Sequence, residues 1–99
     1  MRHWTAIDAG QTTVRARTSW LPDVITGPGF RDPADDAVAA ALTPIRSVLS
    51  GLGPVPRPLS LVIGHTGLPE SPTEVARLTE AILDLPSVSG PGTDEIDLR

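Results

Sequence analysis

The sequence predicts a mixed α/β domain in which helices pack on a sheet, with the element order βββαβα. Residues 13–20 alternate between apolar and polar side chains, which is the period of a half-buried strand, and the apolar run 4–7 precedes them. Residues 59–64 form a second, more apolar run. The stretches on either side of that run carry apolar residues at helical spacing, so strands and helices alternate along the chain.

The first half of the chain predicts three short strands and then a helix. We expect strands at residues 4–7, 13–20 and 23–26, and a loop at 27–31. Asp32 is a favourable helix cap and Pro33 suits the first helical position. The apolar face of this helix extends to Leu52. Pro44 lies within it and predicts either a bend or the start of a second segment, because proline removes a backbone donor.

The second half predicts one buried strand and one capped helix. The strand covers residues 59–64 and leads into a loop at 65–69. Ser71, Pro72 and Glu74 have the spacing of a helix start, and the helix should end near residue 86. Residues 86–99 show no clear periodicity. We therefore expect a folded unit over 1–85 and a loosely ordered tail over 86–99.

Composition excludes several classes of function. The 99 residues carry a net charge of −4 and all eight basic residues are arginines, scattered along the chain with few aromatics, so nucleic acid is not an expected partner. The absence of lysine excludes a Walker-type phosphate loop. The absence of cysteine excludes thiolate chemistry and is consistent with the cytoplasm, our expected location. No apolar run is long enough for a membrane span, so we expect no membrane partner.

The most chemically informative segment is the turn between the first two predicted strands. Asp8 ends the first strand, and Gly10, Gln11, Thr12 and Thr13 follow it. A glycine in such a turn lets successive amide hydrogens converge on an anion. Asp8 would act through a hydrated magnesium ion, because carboxylates repel phosphates and Mg²⁺ prefers oxygen ligands. The same residues also suit an ordinary hairpin turn, which is the alternative interpretation.

The predicted strand order and this turn resemble the N-terminal half of the actin, hexokinase and heat-shock-chaperone ATPase superfamily, whose ribonuclease-H-like domain opens with such a hairpin. Within that superfamily, residues 4–85 are similar to the BadF/BadG/BcrA/BcrD ATPase and N-acetylglucosamine-kinase family. The resemblance lies in the phosphate turn, a glycine-containing loop before the first helix, and a small turn after the buried strand. The matching residues are Asp8, Gly10 and Thr12, then Gly27, Pro28 and Gly29, then Gly64 and Gly67.

The resemblance implies that ATP and Mg²⁺ bind at the first turn, with Asp8 toward the metal and Gly10, Gln11, Thr12 and Thr13 toward the phosphates. It also implies a small sugar as substrate. The expected substrate-side residues are Gly29, Arg31, His65, Thr66 and Gly67. In the family, a second phosphate motif and the catalytic aspartate follow the matched segment. In the absence of that C-terminal lobe, we therefore expect weak nucleotide binding and little phosphoryl transfer.

Two alternatives to this interpretation remain open. His65 is also consistent with ordinary turn packing, and Arg31 with a solvated charge. The chain as a whole could instead be a non-catalytic α/β module that forms a homodimer or binds a partner through an exposed sheet edge. Stabilisation by Mg-ATP would distinguish the ATPase lobe from this module.

Overall fold

A computed structural model describes residues 3–10, 12–28, 37–89 and 92–99, and these ranges form one five-stranded sheet and two helices. The sheet order is β3-β2-β1-β4-β5. The β1–β2 and β2–β3 pairs are antiparallel, whereas β1–β4 and β4–β5 are parallel. The predicted mixed α/β class is therefore confirmed. In chain order the elements are β1 (His3–Ala9), β2 (Thr13–Thr18), β3 (Ile25–Pro28), α1 (Ala37–Ser50), β4 (Leu59–His65), α2 (Pro72–Leu83) and β5 (Thr93–Leu98).

The sheet has one face covered by the two helices and one face that no described helix covers. Side chains alternate between these faces along each strand, as the pleat requires. The covered face contributes Ile7, Val14 and Ile63 to the core, where they pack with helix residues such as Ile45 and Ile82. We call the other face the open face; it presents Trp4, Ala6, Asp8, Arg15, Arg17, Thr26, Ser60, Val62, Gly64, Glu95 and Asp97.

Both helices form where the apolar spacing predicts them. In α1, Pro44 lies inside one continuous helix, so of the two predicted outcomes, a bend or a second segment, the second segment does not form. Asp32, the predicted N-terminal cap of α1, lies outside the described residues. In α2, the hydroxyl of Ser71 accepts a hydrogen bond from the Glu74 amide at 3.4 Å, which confirms the predicted helix start. The helix ends at Leu83, slightly before the predicted position.

The structure corrects the sequence-based prediction at both edges of the sheet. β3 covers residues 25–28 rather than 23–26, so Pro28 is in a strand; proline is tolerated there because β3 is an edge strand. The expected tail at 86–99 contains a fifth strand, and the order is βββαβαβ. This part of the prediction was wrong because the acidic residues of β5 have low strand propensity. Pairing with β4 outweighs that low propensity and forms the strand.

Candidate functional site

The candidate site lies at the end of the sheet formed by the carboxyl termini of the inner strands β1 and β4. Because these strands are parallel and in register, Asp8 pairs with Gly64 and Ala9 pairs with His65. The Thr66 amide also donates to the Ala9 carbonyl at 3.1 Å. The turn after β1 and the loop after β4 are therefore neighbours, as the sequence predicts for two strands that end at one edge.

The turn between β1 and β2 is a tight hairpin. The Gly10 amide donates to the Thr13 carbonyl at 3.1 Å, so only residues 11 and 12 lie between the bonded pair. Gly10 does not have the positive φ that would favour a turn whose amide hydrogens converge on an anion. Its lack of a side chain matters for space, because a Cβ there would lie 3.2 Å from the Thr13 carbonyl oxygen. The Gly10 amide is already bonded, so an anion would have to use other donors of the turn.

Asp8 is placed where a ligand could reach it. Its side chain is exposed on the open face, with Arg15 opposite it on β2 and Gly64 opposite it on β4. Gly64 leaves room beside the carboxylate, since the atom nearest to a Cβ built there is 4.0 Å away. Thr13 is half-buried at the start of β2, and Thr12 is exposed in the turn. A carboxylate and two hydroxyls thus lie within one short segment.

The loop after β4 uses its polar groups internally. The His65 ring is buried, and its Nε2 lies 2.9 Å from the Ala41 carbonyl of α1. Its Nδ1 accepts the Gly67 amide at 2.8 Å, so Nε2 carries the proton and donates. Burial lowers the pKa of His65, although the Ala41 carbonyl acts in the opposite direction. The Thr66 hydroxyl donates to the Ala9 carbonyl at 3.3 Å. His65, Thr66 and Gly67 therefore hold the site edge together.

A groove that was not predicted from the sequence adjoins Asp8 on the open face. It has a volume of about 630 Å³ and its charged lining residues are Asp8, Arg15 and Arg17. Ala6, Ile7, Val24 and Thr26 complete the lining. The sequence does indicate that its two arginines lie together, because Arg15 and Arg17 occupy alternate polar positions of one strand and must share a face.

The remaining predicted site residues, Gln11, Gly29 and Arg31, lie outside the described residues. Within the described ranges, no three His, Asp or Glu side chains form a group that could hold a metal ion by themselves. A metal at Asp8 would therefore need phosphate oxygens and water as its other ligands. Neither of the two described helices has the length and apolar character needed to cross a membrane.

Comparisons of this chain with protein-family models, with curated proteins and with solved structures found no match. The function is therefore inferred from the geometry of the site itself.

Proposed function

We propose that this chain is a ribonuclease-H-like lobe that binds the phosphates of a magnesium nucleotide at the turn between β1 and β2. The bound species would be Mg-ATP, and the lobe would belong to an actin-like or sugar-kinase-like cytoplasmic ATPase that a second lobe completes. The observation that carries the proposal is the position of Asp8: an exposed carboxylate at the carboxyl end of the central strand, next to a tight turn with two hydroxyls.

The sheet order supports the same proposal. The order β3-β2-β1-β4-β5, with three antiparallel strands followed by two parallel ones, is compatible with the proposed ribonuclease-H-like lobe. The order also places the carboxyl ends of β1 and β4 side by side, and ligands of open α/β sheets bind at such edges.

The residues of the turn have distinct expected roles. Asp8 would hold a hydrated Mg²⁺, and Gly64 leaves space for its water shell. The hydroxyls of Thr12 and Thr13 would donate to phosphate oxygens. Thr66 and His65 would act as positioning residues, because Thr66 binds the carbonyl of Ala9 and His65 ties the same loop to α1. The sugar specificity implied by the resemblance would come from other residues, Gly29 and Arg31 among them.

The proposal is tested by thermal unfolding with and without Mg-ATP. At a nucleotide concentration equal to Kd, binding stabilises the folded state by about 0.4 kcal/mol, or roughly 2 °C in Tm for a domain of this size. Asp8→Asn should abolish the shift, and so should chelation of Mg²⁺. Asp23→Asn is the matched control, because Asp23 is also exposed but lies in the β2–β3 connection. Equal shifts for wild type and Asp8→Asn would contradict the proposal.

A further inference from the structure

The groove beside Asp8 continues along the open face toward the amino end of β1. A second groove, with a volume of about 550 Å³, adjoins the first and shares Arg17 and Val24 with it. Together they form a trough over β1 and β2, which we call the β1–β2 trough. It begins at Asp8, passes Arg15 and Arg17, and ends at Trp4. Each groove has the volume of a small-molecule site.

The trough carries positive charge that has no partner within the described part of the chain. Arg15 and Arg17 are exposed on one face of β2, with Cα atoms about 7 Å apart. Neither guanidinium has a hydrogen bond or ion pair with a described residue, although Asp8 pairs with Arg15 across the strands. Two arginines and one aspartate give the trough a net charge of +1, in a chain whose net charge is −4. The trough therefore attracts a small anion.

The end of the trough away from Asp8 is apolar and already formed. Trp4 is 43% exposed and Val24 is 40% exposed, and Leu21 and Pro22 complete the apolar lining. The segment after β2 that carries this lining is fixed to β1, because Trp4 and Ser19 are joined by two hydrogen bonds. The Trp4 amide donates to the Ser19 hydroxyl and the Ser19 amide donates to the Trp4 carbonyl, both at 3.0 Å. A ligand that covers these side chains gains by removing apolar surface from water.

We infer that the β1–β2 trough binds a small amphiphilic carboxylate. Its anionic head lies on Arg15 and Arg17, because a guanidinium donates two parallel hydrogen bonds to a carboxylate. Its alkyl body lies against Trp4 and Val24, since the opposite direction leads to the Asp8 carboxylate. Asp8 stays accessible at the far end of the trough. The inference thus goes beyond nucleotide binding and does not depend on it.

The size of the charge favours a carboxylate over a phosphate ester. A phosphate monoester carries about −1.5 to −2 charges at neutral pH, which exceeds the charge of the trough unless a metal ion offsets it. The excess would repel Asp8, which pairs with Arg15. A carboxylate carries one negative charge and balances the trough. An alkyl ammonium ion would meet two arginines and be repelled.

Tryptophan fluorescence with sodium octanoate tests the inference. The chain has two tryptophans, so Trp20→Phe leaves Trp4 as the sole reporter while keeping an aromatic ring against His3. In this variant octanoate should move the Trp4 emission to shorter wavelength in a saturable way, because the alkyl body displaces water from the indole. Calorimetric titration of wild type with octanoate gives a second measurement that does not depend on the substitution.

Two matched compounds separate the roles of head and body. Acetate lacks the alkyl body, and octylammonium has the same body with the opposite charge. Each should bind at least tenfold more weakly than octanoate. Octylammonium that binds as tightly as octanoate would overturn the inference, because the arginines would then play no part.

Substitution of Arg17 tests the head group. Arg17→Gln should raise the Kd of octanoate about tenfold or more, because it removes hydrogen bonds to a charged group. Arg46→Gln is the matched control, since Arg46 is exposed on α1, away from the open face, and its Kd should equal that of wild type. Circular dichroism and Tm would verify that each variant is folded. An unchanged Kd for Arg17→Gln, or no saturable binding to wild type, would overturn the inference.

A reciprocal pair of measurements separates this site from the nucleotide site. The Mg-ATP shift in Tm should be the same for Arg17→Gln and wild type. Asp8→Asn should bind octanoate at least as tightly as wild type, because the substitution removes the one negative charge of the trough. Weaker octanoate binding by folded Asp8→Asn would contradict the placement of the head group. Failure of carboxylate binding and failure of nucleotide binding are thereby distinguished.

Discussion

Acidification should destabilise this protein through His65. The neutral ring donates from Nε2 to the Ala41 carbonyl and accepts the Gly67 amide at Nδ1. Protonation would place a hydrogen on Nδ1, facing the amide hydrogen of Gly67, so the hydrogen bond between Gly67 and His65 must break. Burial also lowers the pKa of His65 in the folded state. The unfolded chain therefore binds a proton at His65 near pH 6.5 more readily than the folded chain does.

The sign and the upper limit of the effect follow from proton linkage. A depressed folded pKa gives stability that is present above the unfolded value and is lost as the pH falls below it. One proton bound only by the unfolded state costs at most about 1.4 kcal/mol at about pH 5.5, relative to about pH 8. Loss of stability between these two pH values should approach but not exceed this limit for His65 alone.

Urea unfolding at the two pH values measures the effect. Wild type should lose stability at the lower pH, and His65→Gln should lose clearly less. His3→Gln is the control, because His3 is half-buried at the start of β1 and its ring nitrogens bond to no described residue. If His65→Gln shows the same pH dependence as wild type, the assignment of the buried neutral ring is refuted.

Four further substitutions test the packing. Thr5→Val should raise the free energy of unfolding by about 1 kcal/mol, because the buried Thr5 hydroxyl has no hydrogen-bond partner among the described residues. Arg57→Met should lower it by about 2 kcal/mol, since its guanidinium donates to the carbonyls of residues 87–89 at 3.0 to 3.3 Å. Leu61→Ala should cost about 3 kcal/mol because Leu61 is fully buried, whereas Val62→Ala on the open face should cost well under half of that. Urea unfolding checks all four, and a large loss for Val62→Ala would contradict the assignment of the open face.

Much of the fold could be predicted from the sequence because local signals agree with it. The alternation in β2, the apolar run of β4 and the cap at Ser71 each identify an element directly. The edge strands could not be predicted in the same way. Pro28 and the acidic residues of β5 disfavour strands locally, and only pairing with a neighbouring strand defines them.

The candidate site could be predicted in part. The position of Asp8 at a sheet edge and its nearness to the β4 loop follow from strand order alone. The internal role of His65 could not be predicted, because it depends on how closely α1 packs on the end of β4. Likewise, nothing in the sequence indicates that Arg57 would bind carbonyls some 30 residues away.

Binding of a magnesium nucleotide at the β1–β2 turn is tested most directly by titrating the ¹⁵N-labelled chain with Mg-ATP and following the amide chemical shifts. We expect the largest changes between Asp8 and Thr13, with smaller ones at residues 64–67, and their loss when Mg²⁺ is chelated. Unchanged spectra at saturating nucleotide, or changes confined to α2 and β5, would contradict nucleotide binding at this turn.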